Sequence, residues 1–529
     1  MSNQNNLDGL ARRLAGARID RRSFIKQAVA LGMTVGAATS LAGRIAKADT
    51  PKRGGALVLG INNAGSQDSL DPAFYTSSYT QILGPQVYNA LVELDVKNQA
   101  QPSLATEWAT KPGAKEWVIK LRKGVTFHNG KEMEAADVIY SINHHRGADS
   151  KSAAKALLEP ITEIKASDKH EITITLREGN ADLPYMLADY HLGIMPDGGA
   201  AEKGIGTGAF ILESFEPGVR AITKRNPNYW NPDRGFVDSV ETIAINDPAA
   251  RMSALQSGSV HLVNQVDPKT FDLLAKVPGV QTYSISGAGH YTFAMRCDIA
   301  PFQNADLRLA MKYAIDREEL VKKILGGHGK VGNDNPIPSF DPFFAETIPQ
   351  HTFDPDKAKF HFQKSGFTGA LPLSVSEVAF VGCGDAGALM QQSAAKAGIK
   401  IDVTQEPSDG YWDNVWMKKP WFASFFGGRP TADLMLSLVY KSDAAWNESY
   451  WKRLDFDKLL LEARVELDTA KRKQMYHDLQ AMIVDDGGEL IPMFNNTLEA
   501  GSTKVKGFVQ LPTLEMSGLR VAEKVWLDS

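Results

Sequence analysis

Alternation of apolar and mostly polar side chains marks one segment in the first quarter of the chain. The residues from Glu116 to Arg122 have the pattern of a strand with one buried face. His128–Lys131 contains an Asn-Gly pair, which tolerates positive φ and predicts a turn. Ala135–Tyr140 then has a helical spacing. Strand, turn and helix in succession predict an α/β domain, an arrangement that many unrelated proteins share.

Strand and helix patterns alternate along the rest of the chain. Strands are predicted at residues 52–60, 210–215, 239–245, 291–296 and 490–494, and helices at residues 81–94, 247–258, 302–325, 351–366, 456–467 and 470–484. No internal repeat or low-complexity tract interrupts this order. With 529 residues, the chain has room for two or three domains. The last predicted strand returns toward the first domain, so the domains are expected to be discontinuous.

Composition excludes several classes of protein. A hydrophobic share of 43% is ordinary for a globular protein and supplies a sizeable core. Residues 1–48 hold eight Lys or Arg but two Asp, so the remainder is more acidic than the overall net charge of -4. Such a chain lacks the basic face of a nucleic-acid-binding protein. Cys297 and Cys383 lie outside any C-x-x-C spacing, which excludes a structural zinc site of cysteines and leaves open one disulfide or two separate thiols.

The N-terminus has the order of an export signal. Arg21 and Arg22 are followed by a weakly apolar run, residues 27–43, and by an A-x-A sequence that ends at Ala48. This order resembles a twin-arginine signal peptide of residues 1–48 that is cleaved after Ala48. An amphipathic helix or a membrane anchor is the alternative, although the run is shorter than the about 20 apolar residues that a span needs. No cysteine follows the run, so the mature protein is expected to be free in the periplasm, without a lipid.

Three motifs together resemble one protein family. The first begins at Trp117 with the order W-x-x-x-L-R-K-G-V-x-F-H-N-G-K and continues with A-x-D-V-x-Y-S. The second is G-G-x-L at Gly54 followed by S-L-D-P at Ser69, and the third is the helix pattern of residues 305–318. These motifs are similar to those of the extracytoplasmic solute-binding proteins that serve dipeptide, oligopeptide and nickel ABC importers.

The resemblance implies an α/β, two-lobed periplasmic binding protein fold, class II-like and enlarged with an extra subdomain. The implied units are a first lobe of residues 49–97, 207–286 and 498–529, a subsidiary domain of residues 98–206, and a second lobe of residues 287–497. The two lobes are expected to rotate about strands near Ser286 and Asn495 and to close on a ligand.

The motifs of enzymes are missing from the sequence. Gly204–Gly208 is followed by a predicted strand, whereas a dinucleotide fingerprint is followed by a helix. Gly124–Lys131 has five residues between its glycines, whereas a phosphate-binding loop has four. His144 and His145 diverge by about 100° on a helix, so they do not share an ion. We predict no catalytic residue, no metal and no cofactor, and a secreted cofactor enzyme stays an alternative.

The candidate ligand site follows an aromatic run, residues 421–426. Peptide-binding members of the family carry a tryptophan here and, shortly after it, an aspartate that pairs with the ligand's α-ammonium. Gly428 stands about where that aspartate would be. Arg429 is the better candidate, because a guanidinium binds a carboxylate through two parallel hydrogen bonds. Asp433 is a candidate contact for a cation, and the alternative for both is a surface loop with an Arg-Asp pair.

Further side chains complete the predicted site. The other candidate ligand contacts are Ser77, Tyr291, Trp412, Trp421, Phe426, Trp446 and Asn447, of which each aromatic one is equally typical of a core. The predicted ligand is a peptide or a small amino-acid-derived carboxylate such as an opine, with a nickel chelate or haem as the alternative. The predicted partners are ABC permease subunits and, during export, the twin-arginine translocase, and the protein is expected to be a monomer.

Overall fold

The computed structural model describes residues 21–31, 33–34 and 50–528. Arg21 and Arg22 begin the first helix, whereas Ala48, the predicted cleavage position, lies outside the described residues. Within the described residues, no helix is long and apolar enough to cross a membrane.

The strands are numbered in chain order. They are β1 (Ala56–Ile61), β2 (Val92–Leu94), β3 (Ala100–Pro102), β4 (Ala105–Thr110), β5 (Glu116–Leu121), β6 (Ile161–Asp168), β7 (Glu171–Leu176), β8 (Phe210–Glu216), β9 (Arg220–Arg225), β10 (Ser239–Ala244), β11 (Leu262–Val263), β12 (Val280–Met295), β13 (Gly329–Val331), β14 (Leu371–Val375), β15 (Ile401–Gln405), β16 (Trp421–Phe426), β17 (Glu489–Ser502), β18 (Val505–Lys506) and β19 (Trp526–Leu527).

The helices are numbered in the same way. They are α1 (Arg21–Ala30), α2 (Ser78–Val87), α3 (Ala135–His144), α4 (Lys155–Leu158), α5 (Leu183–Met186), α6 (Pro248–Gln256), α7 (Pro268–Leu274), α8 (Ala305–Ala314), α9 (Arg317–Ile324), α10 (Pro355–Lys364), α11 (Cys383–Ala395), α12 (Tyr411–Asn414), α13 (Ala432–Val439), α14 (Leu454–Val465), α15 (Thr469–Asp486), α16 (Glu515–Gly518) and α17 (Val521–Lys524).

Asp-Pro pairs begin three of these helices. Asp247, Asp267 and Asp354 each accept a hydrogen bond from a backbone N–H of the first turn, and a proline follows each of them. The aspartate satisfies a backbone donor that lacks a partner within the helix, and the proline supplies a φ angle already suited to it. The local sequence therefore determines where α6, α7 and α10 start.

One mixed sheet extends through most of the molecule. Its described strands follow the order β15-β14-β16-β12-β17-β11-β1-β10-β9-β8, with β13 paired to β17. We call β11, β1, β10, β9 and β8 the first half of this sheet, and β16, β14 and β15 the second half. The long strands β12 and β17 lie between the halves, and their pairing extends from Val280 with Ser502 to Ala294 with Glu489.

The β12–β17 pairing is interrupted at its middle. Ser286 pairs with Asn496 and His290 pairs with Phe494, so three residues of β12, Gly287 to Gly289, bulge opposite Asn495. A Cβ at Gly287 would lie 2.7 Å from the Asn495 carbonyl oxygen, so a larger residue does not fit this bulge. The interruption lies close to Ser286 and Asn495, the positions near which the two lobes are expected to rotate.

A separate antiparallel sheet, β4-β5-β7-β6, is inserted between β1 and β8 along the chain. It encloses its own core, which includes Trp117, Ile119, Ile172, Ile174 and Leu183. We call this unit the four-stranded domain. The two halves of the long sheet have further cores of their own, so apolar side chains are buried in several separate clusters.

The α/β fold class is confirmed, and two predicted helix boundaries are wrong. The helix predicted to reach residue 94 ends at Val87, because residues 92–94 pair as a strand with residues 100–102. The helix predicted over residues 302–325 is divided at Ile315, which is extended, and Asp316 caps the next helix by accepting a bond from Glu319 N (3.0 Å). Strand pairing and a local cap outweigh helical spacing at these points. Cys297 and Cys383 are both free thiols.

Two carboxyl groups are buried together beside the second half of the sheet. Glu448 and Glu489 are 0% and 1% exposed, and their carboxyl groups lie close enough to influence each other's ionisation. Glu448 also accepts bonds from Thr292 Oγ1 (2.7 Å) and from the Trp416 indole. Among the described residues, no donor of good geometry faces either oxygen of Glu489. Burial, and then the Glu448 charge, raise the pKa of Glu489 well above its usual range, which favours the protonated form of Glu489.

The Glu489→Gln variant is expected to be stabilised relative to the wild-type protein more at pH 8 than at pH 5. Because its folded-state pKa is raised, Glu489 favours folding fully only below its usual pKa of 4.5, and this contribution is lost as the pH rises toward the folded value. Glutamine has the same shape and no such proton to lose. Urea unfolding should give a difference in stabilisation of about 1–3 kcal/mol between the two pH values. The exposed Glu462→Gln is the control, and an equal effect at both pH values contradicts the raised pKa of Glu489.

Candidate functional site

The candidate site lies at the carboxyl end of β16. The strand ends at Phe426, and residues 427–430 lead to Thr431, whose hydroxyl caps α13 by accepting a bond from Leu434 N (3.2 Å). We call residues 427–430 the arginine loop. It is held between a paired strand and a capped helix, so its backbone has little freedom.

Gly428 packs directly on the bulge of β12. A Cβ at Gly428 would lie 2.2 Å from the Ala288 Cβ, closer than any ordinary contact between carbon atoms. An aspartate side chain at this position would collide with the bulge. The arginine loop therefore contacts the interruption of the β12–β17 pairing, and Gly428 supplies close packing without a polar side chain of its own.

Arg429 is half-buried in the arginine loop. Its Nη1 atom donates to the carbonyl oxygens of Gly427 and Gly428, at 3.1 Å each. Burial lowers the pKa of the guanidinium, and the nearby Tyr190 opposes that effect. Among the described residues no carboxylate forms an ion pair with Arg429. A half-buried guanidinium without an acidic partner favours an anionic ligand.

Tyr190 lies near Arg429 and is hydrogen-bonded to a residue of α2. The Tyr190 hydroxyl accepts a bond from Gln81 Nε2 (3.1 Å), and burial raises its pKa. Ser77 caps α2 by accepting a bond from Thr80 N (3.2 Å), and its hydroxyl donates to Asp68 (2.8 Å). Ser77 is thus a buried capping residue that fixes the start of the helix carrying Gln81.

Aromatic side chains lie on both faces of the sheet beside the arginine loop. On one face, Phe426 contacts Trp446 with ring centroids 6.4 Å apart, and Trp446 is 42% exposed. On the other face, Tyr291 is stacked on Phe380 at 4.0 Å. The two groups are separated because neighbouring residues of a strand point to opposite faces.

Trp412 and Trp421 have different environments. Trp412 is 36% exposed and meets Phe425 edge-on, with centroids 6.0 Å apart, on the same sheet face as Tyr291. Trp421 is completely buried against Phe302. Trp412 therefore has an accessible ring, whereas Trp421 is a core residue in this structure.

Asp433 and Asn447 are engaged by neighbouring groups of the protein. Asp433 is buried and accepts bonds from Arg464 Nε (3.1 and 3.2 Å) and from the Tyr476 hydroxyl (3.3 Å). Its partner is therefore Arg464 and not Arg429. The Asn447 side chain is buried and donates to the carbonyl oxygens of residues 441 and 451 (3.2 and 2.7 Å), which stabilises a turn.

Two residues that lie near the arginine loop have no signal in the sequence. Tyr190 lies in an irregular segment without periodicity, and only the tertiary fold brings it to Arg429. His290 is buried between Phe426 and Phe494, and burial lowers its pKa to about 4, so it is neutral at pH 7. No metal-binding cluster of His, Cys, Asp or Glu occurs within the described part of the chain.

Comparison with known proteins identifies similar sequences along most of the chain. Residues 99–447 match the family described as bacterial extracellular solute-binding proteins, family 5 Middle. A Pseudomonas aeruginosa di/tripeptide-binding protein 1 is 24% identical over 459 residues, which are 79% of this chain and 85% of that protein. A Haemophilus influenzae heme-binding protein A is 26% identical over 472 residues, 81% of this chain and 85% of that protein.

The fold is also similar to solved structures. HbpA2 from Haemophilus parasuis superimposes with a TM-score of 0.80 at 20% identity, covering 90% of this chain and 100% of that one. DppA from Helicobacter pylori, in complex with the peptide STSA, gives a TM-score of 0.72 at 23% identity and covers 90% and 99% of the two chains. These similarities confirm the predicted periplasmic binding protein fold.

Replacing Gly428 by alanine is expected to destabilise the protein by about 1–3 kcal/mol, because the new methyl group overlaps Ala288. Gly427→Ala is the matched control, since the nearest atom to its Cβ is Arg429 Nη1 at an ordinary 3.7 Å. Urea unfolding of both variants measures the difference. Equal stability of the two variants would show that the loop does not pack on the bulge as described.

Proposed function

The chain belongs to the bacterial extracellular solute-binding proteins of family 5, and we propose that it is the solute-binding component of an ABC importer that captures a peptide or a small amino-acid-derived carboxylate. The proposed lobes have the boundaries expected from the sequence, with residues 98–206 as a subsidiary domain of the first lobe. The ligand enters between the lobes, the lobes close, and the permease receives the closed form.

The environment of the Arg429 side chain is the main support for the proposed ligand class. Its guanidinium is half-buried, bonds two backbone carbonyls and has no carboxylate partner among the described residues. A planar guanidinium holds a carboxylate through two parallel hydrogen bonds. The accessible rings of Trp412 and Trp446 are further candidate contacts for the rest of the ligand. Gly428 leaves the usual ammonium-binding position without a carboxylate, which favours a ligand recognised at its acidic end.

The proposed hinge is the bulge of β12 at residues 287–289. Two bulge glycines lie opposite Asn495. Pairing resumes at Ser286 on one side and at His290 on the other, with a second register shift between Tyr291 and Phe293. The arginine loop packs on this bulge through Gly428, so a ligand at Arg429 acts next to the hinge. Closure requires contacts that the ligand makes only in the closed form, because equal affinity for both forms shifts nothing.

The proposed location is the periplasm, with the protein a monomer after export by the twin-arginine translocase. The Arg21-Arg22 pair and the A-x-A sequence ending at Ala48 support this route. A net acidic mature chain without a membrane-spanning helix in its described part is compatible with it.

The ligand class is tested by identifying what the purified protein carries. Mass spectrometry of small molecules released by denaturation gives candidates, and thermal unfolding with di- and tripeptides, opines, Ni²⁺ with histidine, and haem ranks them. Stabilisation by a peptide or an amino-acid-derived carboxylate supports the proposal. Stabilisation by haem or the nickel chelate alone would contradict the proposed ligand class and favour that ligand instead. Turnover of the bound compound would contradict the solute-binding function and favour an enzyme.

Arg429→Ala is expected to weaken binding of that carboxylate by about 10–100-fold, because a charge-assisted hydrogen bond is lost from a half-buried site. Isothermal titration calorimetry with the ligand identified above measures the change. Arg220→Ala, an exposed arginine on β9, is the control and should bind as the wild-type protein does. Unchanged affinity in Arg429→Ala would show that Arg429 does not contact the ligand.

Export is expected to fail when Arg21 and Arg22 are both changed to lysine. The precursor should then stay in the cytoplasm, whereas the wild-type protein reaches the periplasm with an intact mass that begins at Asp49. The same change at Arg12 and Arg13 is the control and should leave export intact. Fractionation with intact-mass measurement decides, and periplasmic recovery of the Arg21, Arg22 variant would contradict the twin-arginine route.

A further inference from the structure

The four-stranded domain is tied to the first half of the long sheet by the chain itself. The chain enters it after β1 and α2 and leaves it into β8, so both covalent connections lie on that side. Side-chain contacts reinforce this attachment, since His144 of the domain is hydrogen-bonded through Nε2 to Asp71 (2.8 Å) and the Arg122 guanidinium lies 4.5 Å from the centre of the Trp230 ring. The four-stranded domain is therefore expected to move with the first half of the sheet.

The same domain also contacts helices that belong to the second half. Asp182 Oδ1 accepts a bond from Arg472 Nη1 of α15 (2.8 Å), and the backbone N–H of Ala181 donates to the Arg464 carbonyl oxygen at the end of α14 (2.9 Å). No covalent connection accompanies these contacts. They are consequently free to form and break as the two halves of the molecule change their relative position.

A third contact places this interface next to the candidate site. Asn98 Nδ2 donates to the carbonyl oxygen of Pro430, the residue after Arg429 (2.9 Å). The interface thus extends from the arginine loop to α15. It connects the four-stranded domain with the helices of the second half, as a ligand held at Arg429 would, but it consists of protein groups alone.

The Asp182–Arg472 ion pair is buried, with side-chain exposures of 4% and 8%. Arg472 is held in place on its own side by a bond from Nε to the Ala463 carbonyl oxygen (3.1 Å) and by contact with Tyr476 and Phe343. Its Nη1 is thereby presented toward Asp182 before any contact forms. A buried ion pair contributes only when both partners are present, since removing one leaves an uncompensated charge.

We propose that Asp182 and Arg472 form an interdomain ion pair that holds the two lobes closed without a ligand. The inference rests on the proposed closure about residues 287–289. By lowering the free energy of the closed form, the pair sets the fraction of the protein that is ready to hold a ligand, and hence the apparent affinity. Asp182 and Arg472 are positioning residues in this account and contact no ligand.

The distance between two spin labels tests the proposal in the full mature chain without added ligand, after refolding from urea to remove bound solute. Lys165→Cys in the four-stranded domain and Lys458→Cys on α14 supply exposed labelling positions. The native thiols do not compete, because burial raises the pKa of Cys297 and Cys383 to about 12 and leaves them protonated.

Pulsed electron paramagnetic resonance should give one short, narrow distance for the wild-type background. Asp182→Asn keeps the shape of the side chain and removes its charge, so a longer distance should appear, with the ratio of closed to open form lowered by about 100-fold. The matched control is Glu107→Gln, which removes an exposed ion pair with Lys120 in the same domain and should leave the distance unchanged. An unchanged distance in Asp182→Asn, with an intact circular dichroism spectrum, overturns the proposal.

Two further measurements separate the possible failures. If Asp182→Asn does not fold, Asn98→Ala removes only the bond to Pro430 and should give a smaller shift in the same direction, whereas no shift overturns the proposal. Adding the identified ligand distinguishes the proposal from the proposed function. If every variant gives the same single distance with and without ligand, lobe closure itself is contradicted. If the distance changes with ligand but is the same with and without the Asp182 charge, only the role of the ion pair is contradicted.

Discussion

The antiparallel pairing of β12 with β17 is the constraint on which the rest of the structure depends. Backbone hydrogen bonds fix the first half of the long sheet at one end of these strands and the second half at the other. Between them, residues 287–289 leave the ladder opposite Asn495. A paired strand resists bending, whereas a glycine-containing bulge permits it. The two cores are thus joined through a ladder that is interrupted at these residues, which is where we propose that the lobes rotate.

The packing of Gly428 on Ala288 connects this constraint to ligand recognition. Gly428 has no side chain and lies directly against Ala288, so a change in the shape of the bulge alters the contacts of the arginine loop. Arg429 follows directly, has no carboxylate partner among the described residues and lies near Tyr190. Under the proposed function, capture of an anion at Arg429 and rearrangement of the hinge involve neighbouring atoms, which gives a physical reason for the Gly-Arg sequence at this position.

The sequence predicted those features that depend on neighbouring residues. The strand at Glu116–Leu121, the capped start of α6 at Asp247 and the division between α14 and α15 at Asp468 all follow from local spacing and caps. The motifs around Trp117 and Gly54 identified the family. Features that depend on the tertiary fold were not predictable: β2 replaces the end of a helix because it finds a partner strand, and Asp433 pairs with an arginine 31 residues away. Tyr190 and Asp182 had no local signal at all.

A crystal structure of the protein purified from the periplasm with its solute bound tests the central claim most directly. We expect a ligand enclosed between the lobes, with an acidic group within hydrogen-bonding distance of the Arg429 guanidinium and with the bulge at residues 287–289 at the pivot between closed and open crystal forms. A ligand bound elsewhere on the chain, or two forms that differ without any change at the bulge, would contradict it.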